Sequence, residues 1–379
     1  MDYFFTEEQK MIRDTTREIA LKKIKPIRAE LDEKGEFPHE IMKELARADL
    51  LRVFIPEEFG GMGGGVTEMC IVTEEICRVC PGIGTTYGAN GLAAMPILLY
   101  GSDEQKKRFL PRIADGKVYA AFALTEAGAG SDAGSIKTTA KEVEDGYIIN
   151  GTKQFITNGE VADIYSVVVM TDPDKGARGA SIMMVEKGTP GFDFGKEENK
   201  MGIRASKTTQ LIFNDCKVPK ENLLGKRGMG FIIAMKTFDR TRPGVAAQAV
   251  GTAQGALDEA LEYAKERRQF GKPITSFQGV QFMLADMATE VEAARALLYA
   301  TARMIDSGAK DIARESAMAK MFASDVAMRV TTDAVQIMGG YGYMKEYPVE
   351  KFMRDAKILQ IYEGTNQIQR TVIASHVIK

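Results

Sequence analysis

The sharpest chemical feature of the chain is Glu363, set between Tyr362 and Gly364 in the run Gln360-Ile-Tyr-Glu-Gly-Thr-Asn-Gln-Ile-Gln-Arg370. A carboxylate held near apolar neighbours has its charged form disfavoured, which suits a general base tuned toward neutral pH. An exposed Glu near a helix start has the same local sequence. Two further runs could face a flat, polar-edged ligand. Phe122-Ala-Leu-Thr-Glu-Ala-Gly-Ala-Gly-Ser-Asp132 leaves a β-like run for a tight loop. Its glycines permit close backbone approach and its hydroxyls and amides offer hydrogen bonds, although Gly-Ser-Asp turns are also common without a ligand. In Asn150-Gly-Thr-Lys-Gln-Phe-Ile-Thr-Asn-Gly159, strand alternation puts Phe155 and Thr157 on one side. They could flank a planar cofactor or simply fill a core. Phe238-Asp-Arg-Thr-Arg-Pro-Gly244 and Lys265-Glu-Arg-Arg-Gln-Phe-Gly-Lys272 cluster basic residues. Arginine suits phosphate and pyrophosphate; a solvated charged face is the alternative.

These runs need elements to position them. Residues 1–117 read as helical. Thr6 followed by Glu7 and Glu8 is an N-cap with an acidic first turn, Pro38–Leu51 and Thr67–Val79 carry apolar residues at helical spacing, and Asp103 caps another amphipathic segment. Between them, Gly60–Gly65 is expected to be a flexible surface turn. Residues 118–228 change to short β-rich runs. Asp145-Gly146 is a hairpin turn signal, and Tyr147-Ile-Ile149 and then Asn150-Gly151 follow. Tyr165–Met170 and Ser181–Val185 are apolar runs of strand length, and Thr209–Phe213 is another, closed by Asn214-Asp215. Strands without helices between them predict an antiparallel, β-barrel-like domain. Residues 229–379 are helical again. Val280, Leu284, Met287, Val291, Ala294 and Leu298 recur at steps of four and three, a bundle seam, and Gly339-Gly340-Tyr341-Gly342 and Gly364 interrupt the region. The expected architecture is α+β and multidomain: an N-terminal helical domain, a middle antiparallel β domain and a C-terminal four-helix bundle.

Composition excludes several classes. With 379 residues, 45% apolar and 27% charged, the chain reads as a soluble globular protein of two or three domains. Lys plus Arg is 50 against 52 for Asp plus Glu, so nothing points to nucleic acid. Cys70, Cys77, Cys80 and Cys216 are too bunched for a disulfide framework, which favours a reducing compartment. His39 and His376 are the only histidines, and no metal site is expected. No run matches a P-loop or a Rossmann fingerprint. The N-terminal MDYFFTEEQKMIRD lacks the apolar core of a secretory signal, and no stretch reaches the roughly 18 apolar residues of a membrane helix. The expected location is the cytoplasm, or the mitochondrial matrix if a leader has been removed.

Each run alone is weak; their order and spacing are not. Leu124–Asp132, Asn150-Gly-Thr-Lys153 with Phe155-Ile-Thr-Asn158, Glu266–Lys272, Gln336-Ile-Met-Gly-Gly340 and Ile361–Arg370 together resemble the acyl-CoA dehydrogenase family over essentially the whole chain. Phe238–Ala247 looks closest to its short-chain and medium-chain members. The resemblance implies FAD as cofactor, a homotetramer, an acyl-CoA substrate and an electron-transferring flavoprotein as partner. It implies that Phe122, Leu124, Thr125, Gly130 and Ser131 line the flavin, with Ser131 also near the thioester, and that Phe155 and Thr157 cover the isoalloxazine. By the same likeness Arg267, Gln269, Phe270, Gln336 and Gly340 reach the ADP half of FAD on a neighbouring subunit, and Thr365 and Gln367 hold its phosphate and adenosine portion.

On the substrate side the resemblance points to Phe238, Asp239, Thr241, Arg242, Tyr362, Gly364 and Tyr87, with Asp239 and Arg242 as coenzyme A contacts. Glu363 would take the α proton while the β hydrogen leaves as hydride to flavin N5. Donors to the thioester carbonyl, one of them the Glu363 amide, would stabilise the developing enolate. Some members carry the base at the position of Thr241; here a threonine stands there. Ala127 replaces the proline usual after Thr-Glu. Tyr87-Gly-Ala-Asn90 lies where relatives line the end of the acyl pocket: Tyr87 could cap a short pocket, or Gly88 and Ala89 could open room for a branched or cyclic chain. The same site would serve an enoyl-CoA or aryl-acrylyl-CoA reductase working in reverse, or an oxidase; a non-catalytic family member is the remaining alternative.

Overall fold

The computed structural model describes residues 3–378. Helix α1, Glu7–Ile19, begins where the sequence places its cap. The Thr6 hydroxyl accepts from the Gln9 N–H at 3.2 Å, and the Gln9 side chain accepts from the Thr6 N–H at 3.1 Å, closing a capping box. A π-helical turn, Ala20–Ile24, leads to α2 (Arg28–Lys34), then α3 (His39–Arg47), α4 (Val66–Cys77), α5 (Pro81–Tyr100) and α6 (Asp103–Ala114). The glycine run before α4 is not a loose turn. It folds back on its own approach, with the Met62 and Gly63 amides donating to the Arg52 and Ile55 carbonyls at 3.0 and 2.9 Å.

The middle sheet comprises β1 (Ala120–Ala123), β2 (Thr139–Val143), β3 (Gly146–Thr157), β4 (Ile164–Met170), β5 (Ala180–Glu186), β6 (Phe192–Glu197), β7 (Thr208–Pro219) and β8 (Leu223–Leu224). Its order is β6-β7-β3-β2-β4-β5-β8, with β1 alongside β4. The sheet is antiparallel except where β1 runs parallel to β4 and Thr139 of β2 meets Met170, so a purely antiparallel domain is not what forms. Strand β4 is buried on both faces. Tyr165, Val167 and Val169 enter the β domain's own core, while Ile164, Val168 and Met170 join the core shared with the helices. This explains its apolar sequence, broken at Ser166, whose buried hydroxyl donates to the Ala93 carbonyl at 3.0 Å.

Three turn signals resolve differently from expectation. The β2–β3 hairpin pairs Val143 with Gly146, so Glu144 and Asp145 form the turn and Gly146 opens the strand. A side chain at Gly146 would fall on the Val218 carbonyl of β7, so close approach rather than turn geometry selects glycine. Asn150-Gly151 and Asn214-Asp215 end no strand; β3 and β7 run through them, with a register shift between Ile149 and Gly151. The Asn150 side chain bridges the irregularity, accepting from the Asp215 N–H at 2.8 Å.

The C-terminal layer contains α7 (Gly230–Glu266), a small hairpin of β9 (Arg268–Gln269) and β10 (Lys272–Pro273), α8 (Gln278–Asp306), α9 (Ala313–Met338), α10 (Val349–Leu359) and α11 (Asn366–Val377). The bundle is thus three long helices completed by two short ones. On α8, Met287, Val291, Ala294 and Leu298 are buried, while Val280 and Leu284 are half-open at its start. Among the described residues no helix is long and apolar enough to cross a membrane, and no group of His, Cys, Asp or Glu could hold a metal ion.

Candidate active site

Glu363 lies in the turn between α10 and α11. Its backbone is left-handed, φ 50°, and Gly364 follows at φ 91°. A non-glycine residue in this region is uncommon and costs about 1 kcal/mol or more, so the surroundings must hold it there. Thr241 of α7 donates its hydroxyl to Glu363 Oε2 at 2.7 Å. Arg242 places Nε 3.5 Å from the Glu363 carbonyl oxygen and pairs through Nη1 with Asp239 at 3.2 Å. Burial pushes the Glu363 carboxyl above its ordinary value; the Thr241 hydrogen bond and the charges of Arg242 and Lys320 pull the other way. Tyr362 donates its phenol to Gln248, also on α7.

A cleft opens from this carboxylate between the three layers. The helical side supplies Phe238, Thr241, Gly244, Val245, Gln248, Tyr362 and Glu363; α4 supplies Met69 and Thr73; α5 supplies Thr85, Gly88, Ala89 and Leu92. The β side supplies Phe122, Leu124, Thr125, Phe155, Ile156 and Thr157. The Phe122 and Phe238 rings meet edge to face at 5.7 Å. Phe155 and Thr157 do share the cleft wall, but not by plain alternation. A register shift between Lys153 and Ile156 and a left-handed Phe155, φ 59°, turn its ring outward, where it is 59% exposed.

The loop after β1 is anchored from beneath. Lys153 is fully buried, and its ammonium donates to the Leu124 carbonyl at 3.0 Å and to Glu126 at 2.7 Å. The Glu126 carboxylate also accepts from the Lys137 and Thr138 amides at 2.6 and 3.0 Å. Burial pushes the Lys153 ammonium down to about 8 against the pull of Glu126. Burial alone would raise Glu126, yet Lys153 and the amides hold its carboxyl below the ordinary value. The pair therefore stays charged near neutral pH and fixes where Leu124 and Thr125 enter the cleft.

Other residues singled out in the sequence lie elsewhere. Asp239 and Arg242 are buried behind Glu363 rather than on the cleft wall, and Gly364 adjoins it through the backbone. Gly130 and Ser131 are exposed on the loop. Tyr87 points away, donating its phenol to the Leu50 carbonyl at 3.1 Å from a 2% exposed position, so Gly88 and Ala89 form that part of the wall. Arg267, Gln269 and Gly340 line a separate surface concavity, where the Arg267 guanidinium lies 5.4 Å from the centre of the Tyr341 ring. Phe270 is 92% exposed and Gln336 is exposed nearby. Thr365 and Gln367 line a third concavity, and Thr365 also caps α11 by accepting from the Ile368 N–H at 3.2 Å. Sequence reasoning missed Met69, Thr73, Thr85, Leu92, Val245 and Gln248, which carry no motif and enter the cleft only through helix packing.

Comparison with known proteins agrees with this geometry. The acyl-CoA dehydrogenase N-terminal domain family matches residues 6–117, the middle domain family 121–216 and the C-terminal domain family 228–378. The chain belongs to the acyl-CoA dehydrogenase family. It is an oxidoreductase acting on CH–CH bonds, and FAD is its cofactor. The probable acyl-CoA dehydrogenase FadE25 of Mycobacterium tuberculosis is 50% identical over 373 residues, 98% of this chain and 96% of the relative. The acryloyl-CoA reductase (NADH) of Anaerotignum propionicum is 48% identical over 381 residues, covering 100% and 96%. Among solved structures, that of butyryl-CoA dehydrogenase from Megasphaera elsdenii superposes with TM-score 0.97 at 46% identity, and one described as the electron transferring flavoprotein of Acidaminococcus fermentans with TM-score 0.98 at 51%. Both cover 100% of each chain.

The residues present fit a flavin. The cleft offers the outward Phe155 ring as an apolar face, and the Thr125 and Thr157 hydroxyls have no side-chain hydrogen bond to the protein among the described residues.

Proposed function

We propose that Glu363 takes the α proton of a short-chain acyl-CoA thioester, giving the 2-enoyl-CoA. One observation carries this reading: the Glu363 carboxylate, whose one side-chain hydrogen bond among the described residues comes from the Thr241 hydroxyl, faces a mostly apolar cleft that Phe155 and Thr157 also line. FAD, when bound, supplies the acceptor for the β hydrogen. The chain does the rest. Thr241 orients the carboxylate, and the left-handed turn leaves the Glu363 amide free of any intramolecular carbonyl among the described residues, available to the thioester oxygen. Phe122, Phe238 and Leu124 exclude water around the reacting carbons. The butyryl-CoA dehydrogenase likeness supports a short acyl group, while the Gly88–Ala89 wall, uncapped by Tyr87, leaves room for a branched or cyclic one.

Arg267, Gln269, Phe270, Gln336 and Gly340 lie together on an exposed surface remote from Glu363, which suits a role toward the ADP half of FAD on a neighbouring subunit of a homotetramer. Thr365 and Gln367 would take its phosphate and adenosine portion, Gly130 and Ser131 the flavin's outer edge, and Asp239 and Arg242 would act toward coenzyme A from behind Glu363. An electron-transferring flavoprotein is the proposed redox partner, consistent with the Acidaminococcus likeness. Buried free cysteines support a reducing compartment, which the cytoplasm and the mitochondrial matrix both provide. A second reading, reduction of an enoyl-CoA by the same residues, is favoured by the acryloyl-CoA reductase likeness.

Anaerobic titration of the holoenzyme with butyryl-, octanoyl-, isobutyryl- and cyclohexanoyl-CoA separates these readings. Bleaching of the flavin band by butyryl-CoA, slowed about 10²–10⁴-fold in Glu363→Gln, is expected. A band that no saturated thioester bleaches, with reduced enzyme reoxidised by an enoyl-CoA, would favour the reductase.

A further inference from the structure

Lys320 is fully buried on α9, with no place in the cleft wall. Its ammonium donates to the Gly364 carbonyl at 2.8 Å and to the Asn366 side-chain oxygen at 3.0 Å. Both acceptors are neutral. A buried cation whose hydrogen bonds go to neutral oxygens carries a large desolvation cost, and a methionine of similar length would fill the same space without it. Burial indeed lowers the Lys320 ammonium to about 7, with the charge of Glu363 opposing. The position needs a reason beyond packing.

The turn it touches supplies one. Glu363 and Gly364 are both left-handed, and their two carbonyls receive donors from three helices. Gln369 of α11 donates to both, at 3.1 and 2.9 Å; Arg242 of α7 approaches the first at 3.5 Å; Lys320 of α9 takes the second. Asn366, which Lys320 also holds, donates in turn to Ser324 and Asp325 of α9 at 2.9 and 2.7 Å.

We propose that Lys320 is a positioning residue: by pinning the Gly364 carbonyl and Asn366 to α9 it fixes the strained Glu363–Gly364 turn, and with it both the carboxylate and the Glu363 amide. This rests on Glu363 being the base. Small displacements of a reacting group cost rate steeply, so a turn free to relax would retain substrate and lose turnover. The lysine also acts through its charge. The charged groups facing Glu363 are Arg242 from α7 and Lys320 from α9; Asp239, on α7, pairs with Arg242, and Tyr362 is the chain neighbour. Removing the Lys320 charge leaves only the Thr241 hydrogen bond and the Arg242 charge to favour the carboxylate, so the base needs a higher pH to ionise.

The test compares holoenzymes carrying Lys320→Met, Lys320→Gln and Glu363→Gln, with butyryl-CoA turnover measured across pH alongside flavin content and Tm. Lys320→Met is expected to lower kcat about tenfold or more with KM within about threefold, and to move the acid limb of the profile upward. Lys320→Gln keeps a donor without the charge; it should recover most of kcat while keeping the shifted limb. A Lys320→Met enzyme with kcat within about twofold of wild type and an unmoved limb overturns the proposal. If Lys320→Met does not fold, the limb in Lys320→Gln decides: shifted supports the proposal, unmoved overturns it. Full activity in Glu363→Gln would instead overturn the assignment of the base, an outcome the lysine variants cannot mimic.

Discussion

Glu363 is held in an uncommon backbone conformation and its charged form is disfavoured by burial, two penalties at the one residue whose carboxylate faces the cleft. Turnover needs the carboxylate, so activity should rise with pH through a pKa above the ordinary 4.5. Thr241 is the nearest group opposing that rise, at 2.7 Å. Thr241→Val should therefore move the acid limb of kcat to still higher pH, and a limb that stays or falls would remove Thr241 from the account. Stability runs the other way. A raised folded pKa means that Glu363 favours the fold when protonated, below its unfolded value, and that this contribution is lost as pH rises through the folded value. Glu363→Gln should thus show a higher Tm than wild type at neutral pH, with the gap closing toward pH 4. Equal melting curves at neutral pH would mean that burial imposes no net cost on the carboxylate. Glu363 is legible in the sequence because Tyr-Glu-Gly combines an aromatic, an acid and a helix break. Lys320 is not, because lysines on amphipathic helices are normally solvated. Its register with the buried Ala317, Ser324 and Ala327 is the signal that would have found it.

At the scale of elements, α5 is the least legible and among the most consequential. Pro81–Tyr100 contains Gly82, Gly84, Gly88, Gly91 and Pro96, residues that normally argue against a helix. It forms because it is buried nearly all round, between α4, α7 and β1, and small residues let those neighbours approach. A Cβ on Gly84 would fall on the Cys77 sulfur, and one on Gly91 would lie 3.0 Å from the Met69 sulfur. Propensity and packing then predict opposite signs. Gly84→Ala would stabilise an exposed helix by up to about 1 kcal/mol, but here overpacking should destabilise by about 1–3 kcal/mol. The urea midpoint decides, and an increase would show that α4 yields easily. The β domain was clearer in outline than in detail. Its strands follow β-branched runs, but Asn-Gly and Asn-Asp pairs mark irregularities inside β3 and β7, because a partner strand on each side outweighs local turn chemistry. The Phe155 bulge belongs to this class: the sequence places Phe155 and Thr157 together, but not the positive φ that turns the ring into the cleft.

Beside the core that the β domain shares with the helices, buried charge at the foot of α10 joins the three layers. Asp355 is fully buried; it pairs with Lys351 at 2.5 Å and accepts from the Ile203 N–H of the middle domain at 2.5 Å. One residue away, Arg354 pairs with Asp32 of α2 at 2.8 Å. Adjacent residues of one short helix thus hold the β domain and the N-terminal helices to the bundle, and the active-site turn begins right after this helix ends. No sequence periodicity shows such a junction, because each partner is distant in the chain. Asp355→Ala leaves the Lys351 ammonium and the Ile203 amide buried without their partner. Breaking a buried pair on one side costs about 3–5 kcal/mol, enough to lower Tm by several degrees. The middle domain loses one tie but keeps the core it shares with the helices, so the calorimetric transition should move down as a single step. The double variant Lys351→Met with Asp355→Leu removes both charges at similar volume, so it should regain part of the loss, retaining only the penalty of the unpaired Ile203 amide, about 1–3 kcal/mol. If the double variant melts no higher than Asp355→Ala, the Ile203 link rather than the ion pair carries the stability of this junction.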